Sequence, residues 1–243
     1  FFSFIIVLMT KKINTNLIKL IKYYSLINYN IIYSNQSINR YQKNNFDNTG
    51  SKSLKLKKLA ASISNIKNCA LKKNATNQVF ADGNANAKIM IVGEGPGVNE
   101  DKECIPFAGR AGELLDKMLA SINLDRENVY ITNVVNYRPP ENRKPTEEEI
   151  NKYVPYLIRH IEIINPKILL LLGSTALSAI IGNNSVISEA RGKWISKKFG
   201  NNQIFVITSF HPAFLMRQPN QKKMSWIDLK MIKKKITDLN IKI

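Results

Sequence analysis

The sequence has few of the residues that mark a disulfide framework, a metal site or a membrane segment. Only two cysteines, Cys69 and Cys104, and two histidines, His160 and His211, occur in 243 residues. Two cysteines do not form the framework of a small secreted domain, and they indicate a reducing compartment, so we expect a cytoplasmic protein. No apolar run in the sequence reaches the roughly 18 residues that a membrane-spanning helix needs, so we expect no membrane partner.

Acidic residues are also scarce, with 18 Asp and Glu against 36 Lys and Arg and a net charge of +18. Such an excess favours a polyanionic partner, nucleic acid before an anionic membrane, although a solvated basic surface is the alternative. Residues 1–78 contain 13 basic residues and one acidic residue. From residue 191 onward there are 12 basic and two acidic residues. The second group predicts a basic region at the C-terminal end of the folded part.

The charge distribution also suggests how the chain is divided. Residues 1–60 are rich in Asn, Lys, Ile, Tyr and Ser and have no sustained helical or strand periodicity. This pattern predicts a poorly ordered extension, or a weak helix at about 17–26, and a short amphipathic helix at about 54–66 leads into the rest. We expect residues 61–243 to form one domain and the protein to be a monomer.

Short hydrophobic runs alternate with helical patterns in this domain. The runs cover residues 88–92, 129–132, 168–172 and 204–208. Each has the length and the β-branched or aliphatic content of a buried strand. One of the intervening helices begins with a capping box, in which Thr146 precedes Glu149. The alternation predicts a three-layer α/β/α sandwich with a central, mainly parallel four-stranded sheet.

The residues that follow these runs differ from ordinary turns. They are Gly-Glu-Gly-Pro-Gly at 93–97, Asn133, the pair Gly173 and Ser174, and the pair His211 and Pro212. In parallel sheets ligands bind at the carboxyl ends of the strands, so one crevice is expected to collect a carboxylate, an amide and an imidazole. The glycine-rich loop is not a dinucleotide fingerprint, because Val98 replaces its third glycine, and it lacks the Gly-Lys-Ser/Thr of a P-loop.

Each candidate residue also has a purely structural interpretation. Asn133 offers a donor and an acceptor that suit a uracil or another imide edge, or it ends its strand in a turn. Phe107 is either an aromatic plate that stacks on a base or a plug over the core. Glu94 either orients a water molecule or hydrogen-bonds its own loop. A position at the rim is favoured for His211, whereas His160 lies inside a helix and is assigned a structural role.

Charged residues lie close to these loops. The rigid loop at 138–145 contains Arg138 and Arg143, and Arg217 follows the segment of His211. They are interpreted as phosphate contacts, with a solvated surface as the alternative of equal weight. Two acids at 100–101 are either solvated loop charges or serve the same water molecule as the loop carboxylate.

Taken together, these motifs resemble the uracil-DNA glycosylase superfamily, most closely its family 4, the iron–sulfur or thermostable type. The resemblance runs from about Cys69 to the C-terminal helix and rests on four ordered segments. They are 93–101, 106–115, 129–143 and 211–217. The resemblance implies a DNA repair enzyme that hydrolyses the N-glycosidic bond of uracil flipped out of DNA and leaves an abasic site. The alternative is a glycosylase-like module that binds nucleic acid with little or no catalysis.

The resemblance also implies roles for individual residues. Phe107 would stack on the flipped uracil, and Asn133 would read its imide edge. His211 would stabilise the negative charge on the departing base, and Glu94 would hold the attacking water together with the backbone at Gly95. The residues implied in binding uracil are Gly93, Gly95, Phe107, Asn133 and His211. Those implied in binding DNA are Arg110, Arg138, Arg143, Leu215 and Arg217, with the loop from Leu215 to Arg217 entering the duplex.

The chain departs from this family at the iron–sulfur cluster. Family 4 typically binds a [4Fe–4S] cluster through four cysteines. Cys69 stands at one ligand position, but Ile66, Tyr137 and Tyr153 stand at the other three. One thiolate does not hold a cluster that needs four, and the spacing of Cys104 does not make it a replacement. We therefore expect no cofactor and no metal, with tyrosine and aliphatic side chains filling the former cluster pocket.

Overall fold

The computed structural model describes residues 50–182 and 185–242. The helices are α1 (Gly50–Ser64), α2 (Ala70–Asn74), α3 (Val98–Glu103), α4 (Arg110–Ala120), α5 (Glu147–Ile164), α6 (Ser174–Ile181), α7 (Ile187–Ala190), α8 (Pro212–Arg217) and α9 (Lys222–Asp238). The strands are β1 (Asp82–Gly83), β2 (Ile89–Gly93), β3 (Val129–Asn133), β4 (Ile168–Leu172), β5 (Trp194–Phe199) and β6 (Asn202–Ser209). Within this described part, no helix combines the length and the apolarity needed to cross a membrane.

The strands form one sheet with the order β1-β3-β2-β4-β6-β5. The four inner strands are parallel, whereas β1 and β5 pair antiparallel at the two edges. The predicted α/β/α sandwich with a mainly parallel sheet is confirmed, but the predicted number of four strands is corrected to six. The edge strands lack the pattern of a buried strand, because β1 has only two residues and β5 buries only its last residue, Phe199.

Helices cover both faces of the sheet because strand side chains point alternately to opposite sides. On one face α1, α5 and α6 pack over a layer that includes Met90 and Leu169. On the other face α4, α8 and α9 pack over a layer that includes Ile91 and Leu170. Every residue of β2, β3 and β4 is buried, as is typical of parallel strands with helices on both sides.

Helix α1 corresponds to the helix expected at 54–66 and begins ahead of it, at Gly50. Leu56, Leu59 and Ile63 bury their side chains in the core. Their spacing of three to four residues gives α1 an apolar face, so residues 50–60 are helical and packed. This corrects the prediction of a poorly ordered extension that continues to residue 60. The remaining part of the predicted extension, residues 1–49, lies outside the described residues.

The parallel arrangement brings the carboxyl ends of the inner strands to one edge of the sheet. Gly93 at the end of β2 pairs in register with Asn133 at the end of β3. Leu172 at the end of β4 pairs in the same way with Ser209 at the end of β6. The loops that follow these four strands therefore meet above the same edge.

Candidate active site

The loops at this edge enclose a cavity of about 400 Å³. Glu94, Phe107, Asn133 and His211 all line it. The volume lies in the range of small-molecule sites in proteins. Because the four side chains come from four separate segments, the sheet topology brings them together.

Glycine at the end of β2 allows two of these side chains to approach each other. A Cβ atom at Gly93 would lie 2.4 Å from Oδ1 of Asn133 and 2.5 Å from Cζ of Phe107. Both distances are far inside van der Waals contact, so a larger residue would displace the amide and the ring. Gly95 lines the cavity, and a Cβ atom there would lie 2.7 Å from Cγ2 of Val135.

Phe107 has a backbone conformation that needs external support. Its φ of 56° is in the left-handed region, which costs a non-glycine residue roughly 1–2 kcal/mol. Arg126 donates from Nη1 to the carbonyl of Pro106 at 3.0 Å and from Nη2 to the carbonyl of Phe107 at 2.6 Å. Asp82 and Asp116 in turn form ion pairs with Arg126. No sequence pattern identified Arg126, because the contact is made to backbone carbonyls of a distant loop.

The ring of Phe107 packs in the core and also lines the cavity. It is only 6% exposed and belongs to the core under α4, yet it lines the cavity and stacks near the imidazole of His211. The two ring centroids are 5.4 Å apart, with 24° between the ring planes. A base entering the cavity would therefore meet an aromatic surface that cannot easily move.

His211 is oriented by the helix that it begins. Its Nδ1 accepts a hydrogen bond from the backbone N–H of Ala213 at 3.2 Å, so the neutral ring carries its proton on Nε2. Burial lowers the pKa of His211 to about 4; Arg217 adds to this effect and Glu100 opposes it. The imidazole is therefore neutral at pH 7 and retains one N–H donor.

Glu94 is held by a residue that no motif identified. Thr175, at the start of α6, donates a hydrogen bond from Oγ1 to Oε2 of Glu94. Thr175 is 1% exposed, so its hydroxyl group is shielded from solvent, whereas Glu94 is half-buried and lines the cavity. A carboxylate has several acceptor positions, and Glu94 can accept a hydrogen bond from water in addition to this one.

The two neighbouring acids take different positions. Glu100 lines the cavity and accepts hydrogen bonds from the backbone N–H groups of Gly97 and Gly109 at 3.0 and 2.9 Å. It thereby joins the glycine-rich loop to the loop of the aromatic ring. Asp101 is not among the residues that line the cavity; it is 2% exposed and accepts hydrogen bonds from the backbone at 76–77. Asp101 is therefore removed from the candidates for orienting water.

The arginines predicted to contact DNA differ in whether their guanidinium groups already bind another side chain. Arg217 is exposed at the mouth of the cavity, and Arg110 is exposed at the first position of α4. Arg143 also lines the cavity, but both of its Nη atoms donate to Glu149, at 2.8 and 2.7 Å. Arg138 donates from Nε to the side chain of a neighbouring asparagine in its own loop. Arg217 and Arg110 are consequently better placed than Arg143 to receive a phosphate.

Leu215 requires a correction. The prediction placed it in a loop that enters the DNA duplex, but it is 1% exposed and packs in the core beneath α8. Helix α8 begins at Pro212 and turns this leucine toward the sheet. Leu215 therefore anchors α8, whereas Arg217, two residues further on, is exposed and lines the cavity.

The residues at the expected cluster position do not fit a [4Fe–4S] cluster. Cys69, Ile66, Tyr137 and Tyr153 are buried together in one core, as predicted. The Sγ atom of Cys69 lies 3.2 Å from the hydroxyl of Tyr153, and burial raises the pKa of both tyrosines. Neutral phenols do not replace the thiolates that such a cluster needs. Across 50–182 and 185–242, no group of three His, Cys, Asp or Glu side chains is arranged to hold a metal.

His160 has the structural environment that was predicted for it. It is 2% exposed, stacks on Phe80 with ring centroids 4.6 Å apart, and its Nε2 lies 2.8 Å from the hydroxyl of Tyr130. Burial lowers its pKa to about 3. This histidine therefore links α5 to β3 and takes no part in the cavity.

Sequence comparisons match this chain to known proteins. The family model of the uracil DNA glycosylase superfamily matches residues 80–232. A Type-4 uracil-DNA glycosylase from Sulfurisphaera tokodaii is 43% identical over 183 residues, which cover 73% of this chain and 83% of that protein. The Type-4 uracil-DNA glycosylase of Thermotoga maritima is 47% identical over 150 residues, covering 61% of this chain and 77% of the relative. That of Archaeoglobus fulgidus is 41% identical over 174 residues, covering 70% and 87%.

Proposed function

The chain belongs to the uracil-DNA glycosylase superfamily, and on that premise we propose that it is a DNA repair enzyme that excises uracil. It hydrolyses the N-glycosidic bond between uracil and deoxyribose and leaves an abasic site. The observation that carries this proposal is the convergence of Glu94, Phe107, Asn133 and His211 around one cavity. The relatives named above as Type-4 uracil-DNA glycosylases support the same substrate.

The cavity binds a base only after the nucleotide has left the duplex. Flipping costs a few kcal/mol, and less for a U·G mismatch than for a normal pair. In the proposed complex Phe107 stacks on the extruded uracil. Asn133 forms hydrogen bonds with its imide edge, one as donor and one as acceptor. Cytosine presents a different pattern at that edge, which is the basis of selectivity for the deaminated base.

His211 supports the departure of the base. As the C–N bond breaks, its electron pair moves onto the uracil ring, and negative charge develops on the ring oxygens. The Nε2–H group of a neutral imidazole donates to that oxygen without having to give up a proton. A fixed donor of this kind typically lowers a barrier by roughly 3–4 kcal/mol. Two observations support this role. The low pKa of His211 keeps its ring neutral, and the hydrogen bond from the Ala213 amide to Nδ1 leaves the proton on Nε2.

Glu94 supports the water molecule that completes the reaction. The sugar becomes cationic as the base leaves, and the oxygen of water forms the new bond to C1′. Glu94 accepts a hydrogen bond from this water and takes its proton, and the uracil anion is protonated from solvent. The backbone at Gly95 holds the water from the other side. No step requires a metal or a cluster.

Positive charge beside the cavity supports contact with the DNA backbone. Arg217 and Arg110 are exposed near its mouth, where they can neutralise phosphates on either side of the extruded nucleotide. We also propose that the enzyme works as a monomer, since the four residues that carry the reaction come from a single chain. The free thiols of Cys69 and Cys104 support a reducing, cytoplasmic location.

The test is a single-turnover excision assay on an end-labelled oligonucleotide that contains one uracil opposite guanine, followed by alkali cleavage of the abasic site. We expect cleavage at the uracil position and none in a matched oligonucleotide with thymine. His211→Ala should lower the rate by about 100- to 1,000-fold with little change in Tm. If the wild-type protein shifts the oligonucleotide in a gel without cleaving it, the chain is a binding module instead.

A further inference from the structure

The loop after β4 approaches the glycine-rich loop after β2 from the side. The two strands are neighbours in the sheet, with Val92 opposite Leu171. Gly173 then turns the chain with a φ of 94°, and α6 begins directly afterwards. The second residue of this helix, Thr175, is thereby directed at the side chain of Glu94.

We propose that Thr175 is the positioning residue for Glu94, and this inference rests on the function proposed above. Its hydroxyl donates to Oε2 of Glu94, so it fixes one oxygen of the carboxylate and sets the plane in which the other faces the cavity. Thr175 does not line the cavity itself, so it acts on the reaction through Glu94 alone.

Two properties make threonine suited to this position. Its β-branched side chain has few accessible rotamers in a helix, so the backbone of α6 restricts the direction of the hydroxyl. Thr175 is itself 1% exposed, so water does not compete for its hydroxyl group. A hydrogen bond to an ionised acceptor is also stronger than one between neutral groups. Glutamate otherwise has three rotatable bonds, and without this contact the carboxylate would sample several positions.

The expected consequence is a loss of rate without a loss of binding. A misplacement of about 1 Å in a catalytic group can slow a reaction by about 100-fold. We therefore expect Thr175→Val, which keeps the shape and removes the donor, to lower kcat by about 10- to 100-fold. The KM and the affinity for an abasic product oligonucleotide should stay within about two-fold of wild type. Thr175→Ser retains the hydroxyl and should recover most of the rate.

A matched control is available in the same sheet. Thr132 is also fully buried, and its Oγ1 donates to the backbone carbonyl of Phe80 at 2.7 Å, away from the cavity lining. Thr132→Val removes a buried hydroxyl by the same chemical change. It should lower Tm to a similar extent as Thr175→Val but leave kcat unchanged. A rate loss of equal size in both variants would overturn the inference, because it would reflect general destabilisation.

A double-mutant cycle tests whether Thr175 acts through Glu94. Single-turnover rates are measured for Thr175→Val, for Glu94→Ala and for the double variant on the uracil oligonucleotide. If Thr175 only positions Glu94, the double variant should be no slower than Glu94→Ala alone. Additive losses would overturn the inference while leaving the proposed function intact.

The remaining outcomes separate the two proposals. If Glu94→Ala retains wild-type activity, the assigned role of Glu94 fails and the inference fails with it. If Glu94→Ala is slow but folded Thr175→Val has the wild-type rate, only the inference fails. Should Thr175→Val not fold, Thr175→Ala is measured instead against Thr175→Ser, and equal rates in this pair would overturn the inference.

Discussion

Lowering the pH from about 8 to about 5.5 tests whether His211 works as a neutral donor. An ordinary histidine, with a pKa of about 6.5, is about 90% protonated at pH 5.5. With a pKa of about 4, His211 is only about 3% protonated at that pH. The imidazole should therefore remain neutral throughout this range, and its protonation should add no step to the pH profile of uracil release.

The assay is an NMR titration of the imidazole groups. The sequence has only two histidines, so the spectrum of the labelled protein contains two sets of ring signals. The pKa of His211 is about 4 and that of His160 is about 3, so both should start to titrate only below pH 5.5. The variant His211→Asn assigns the signals by removing one set. A titration centred near pH 6.5 in the signal that this variant loses would refute the reasoning.

The same shifts predict a dependence of stability on pH. Both histidines bind a proton in the unfolded chain at a higher pH than in the folded protein, so the unfolded state gains protons first as the pH falls. Stability is fully present above about pH 6.5 and is lost as the pH falls below it. Between pH 6.5 and 5.5 the two groups together remove up to about 2 kcal/mol from the free energy of unfolding. In urea unfolding, His211→Asn should show about half of this loss.

Further predictions concern the base, the phosphates and the core. Asn133→Ala should lower uracil excision by about 100-fold or more at nearly unchanged Tm, because it removes both hydrogen bonds to the imide edge; unfolding of this variant would indicate a structural role instead. Arg217→Ala should reduce the slope of log K against log salt by about 1 in DNA binding. Arg143→Ala is its matched control, since that guanidinium is already paired with Glu149, and it should change the slope less; equal slopes for the two variants would contradict this assignment. Anaerobically purified protein should contain no stoichiometric iron and show no visible cluster absorbance, and stoichiometric iron would contradict the prediction of a cluster-free protein. Tyr153→Phe should lower the free energy of unfolding by about 1 kcal/mol, because it removes the hydrogen bond to Cys69.

The parallel part of the sheet was predictable because its strands are buried on both faces. Such strands are continuous apolar runs, and the runs at 88–92, 129–132 and 168–172 match β2, β3 and β4 to within one residue at each end. The fourth strand, β6, is longer than its run, because its first residues are polar and pair with the edge strand β5. An edge strand needs no apolar pattern on its open side, so neither edge could be identified in advance.

The cavity residues were predictable for a different reason. In parallel sheets the strand ends share one edge, so Asn133 and His211 could be assigned to the same site before their distance was known. The contact from Thr175 to Glu94 joins residues 81 positions apart, and no local pattern encodes a hydroxyl that reaches a neighbouring loop. The burial of Leu215 was missed because Phe214, Leu215 and Met216 are consecutive apolar residues in a six-residue helix, and such a run does not reveal which side faces the core.

The residues that hold the site differ from those that line it. Glu94 is held by Thr175 and the loop of Phe107 by Arg126, and both holders lie outside the cavity lining. His211 is held by the amide of its own helix. Stabilising charge in a transition state requires donors and acceptors that are already oriented before the reaction begins. Rate in this enzyme should therefore depend on Thr175 and Arg126 as well as on the residues that contact uracil, and motif matching alone would assign those two positions to the scaffold.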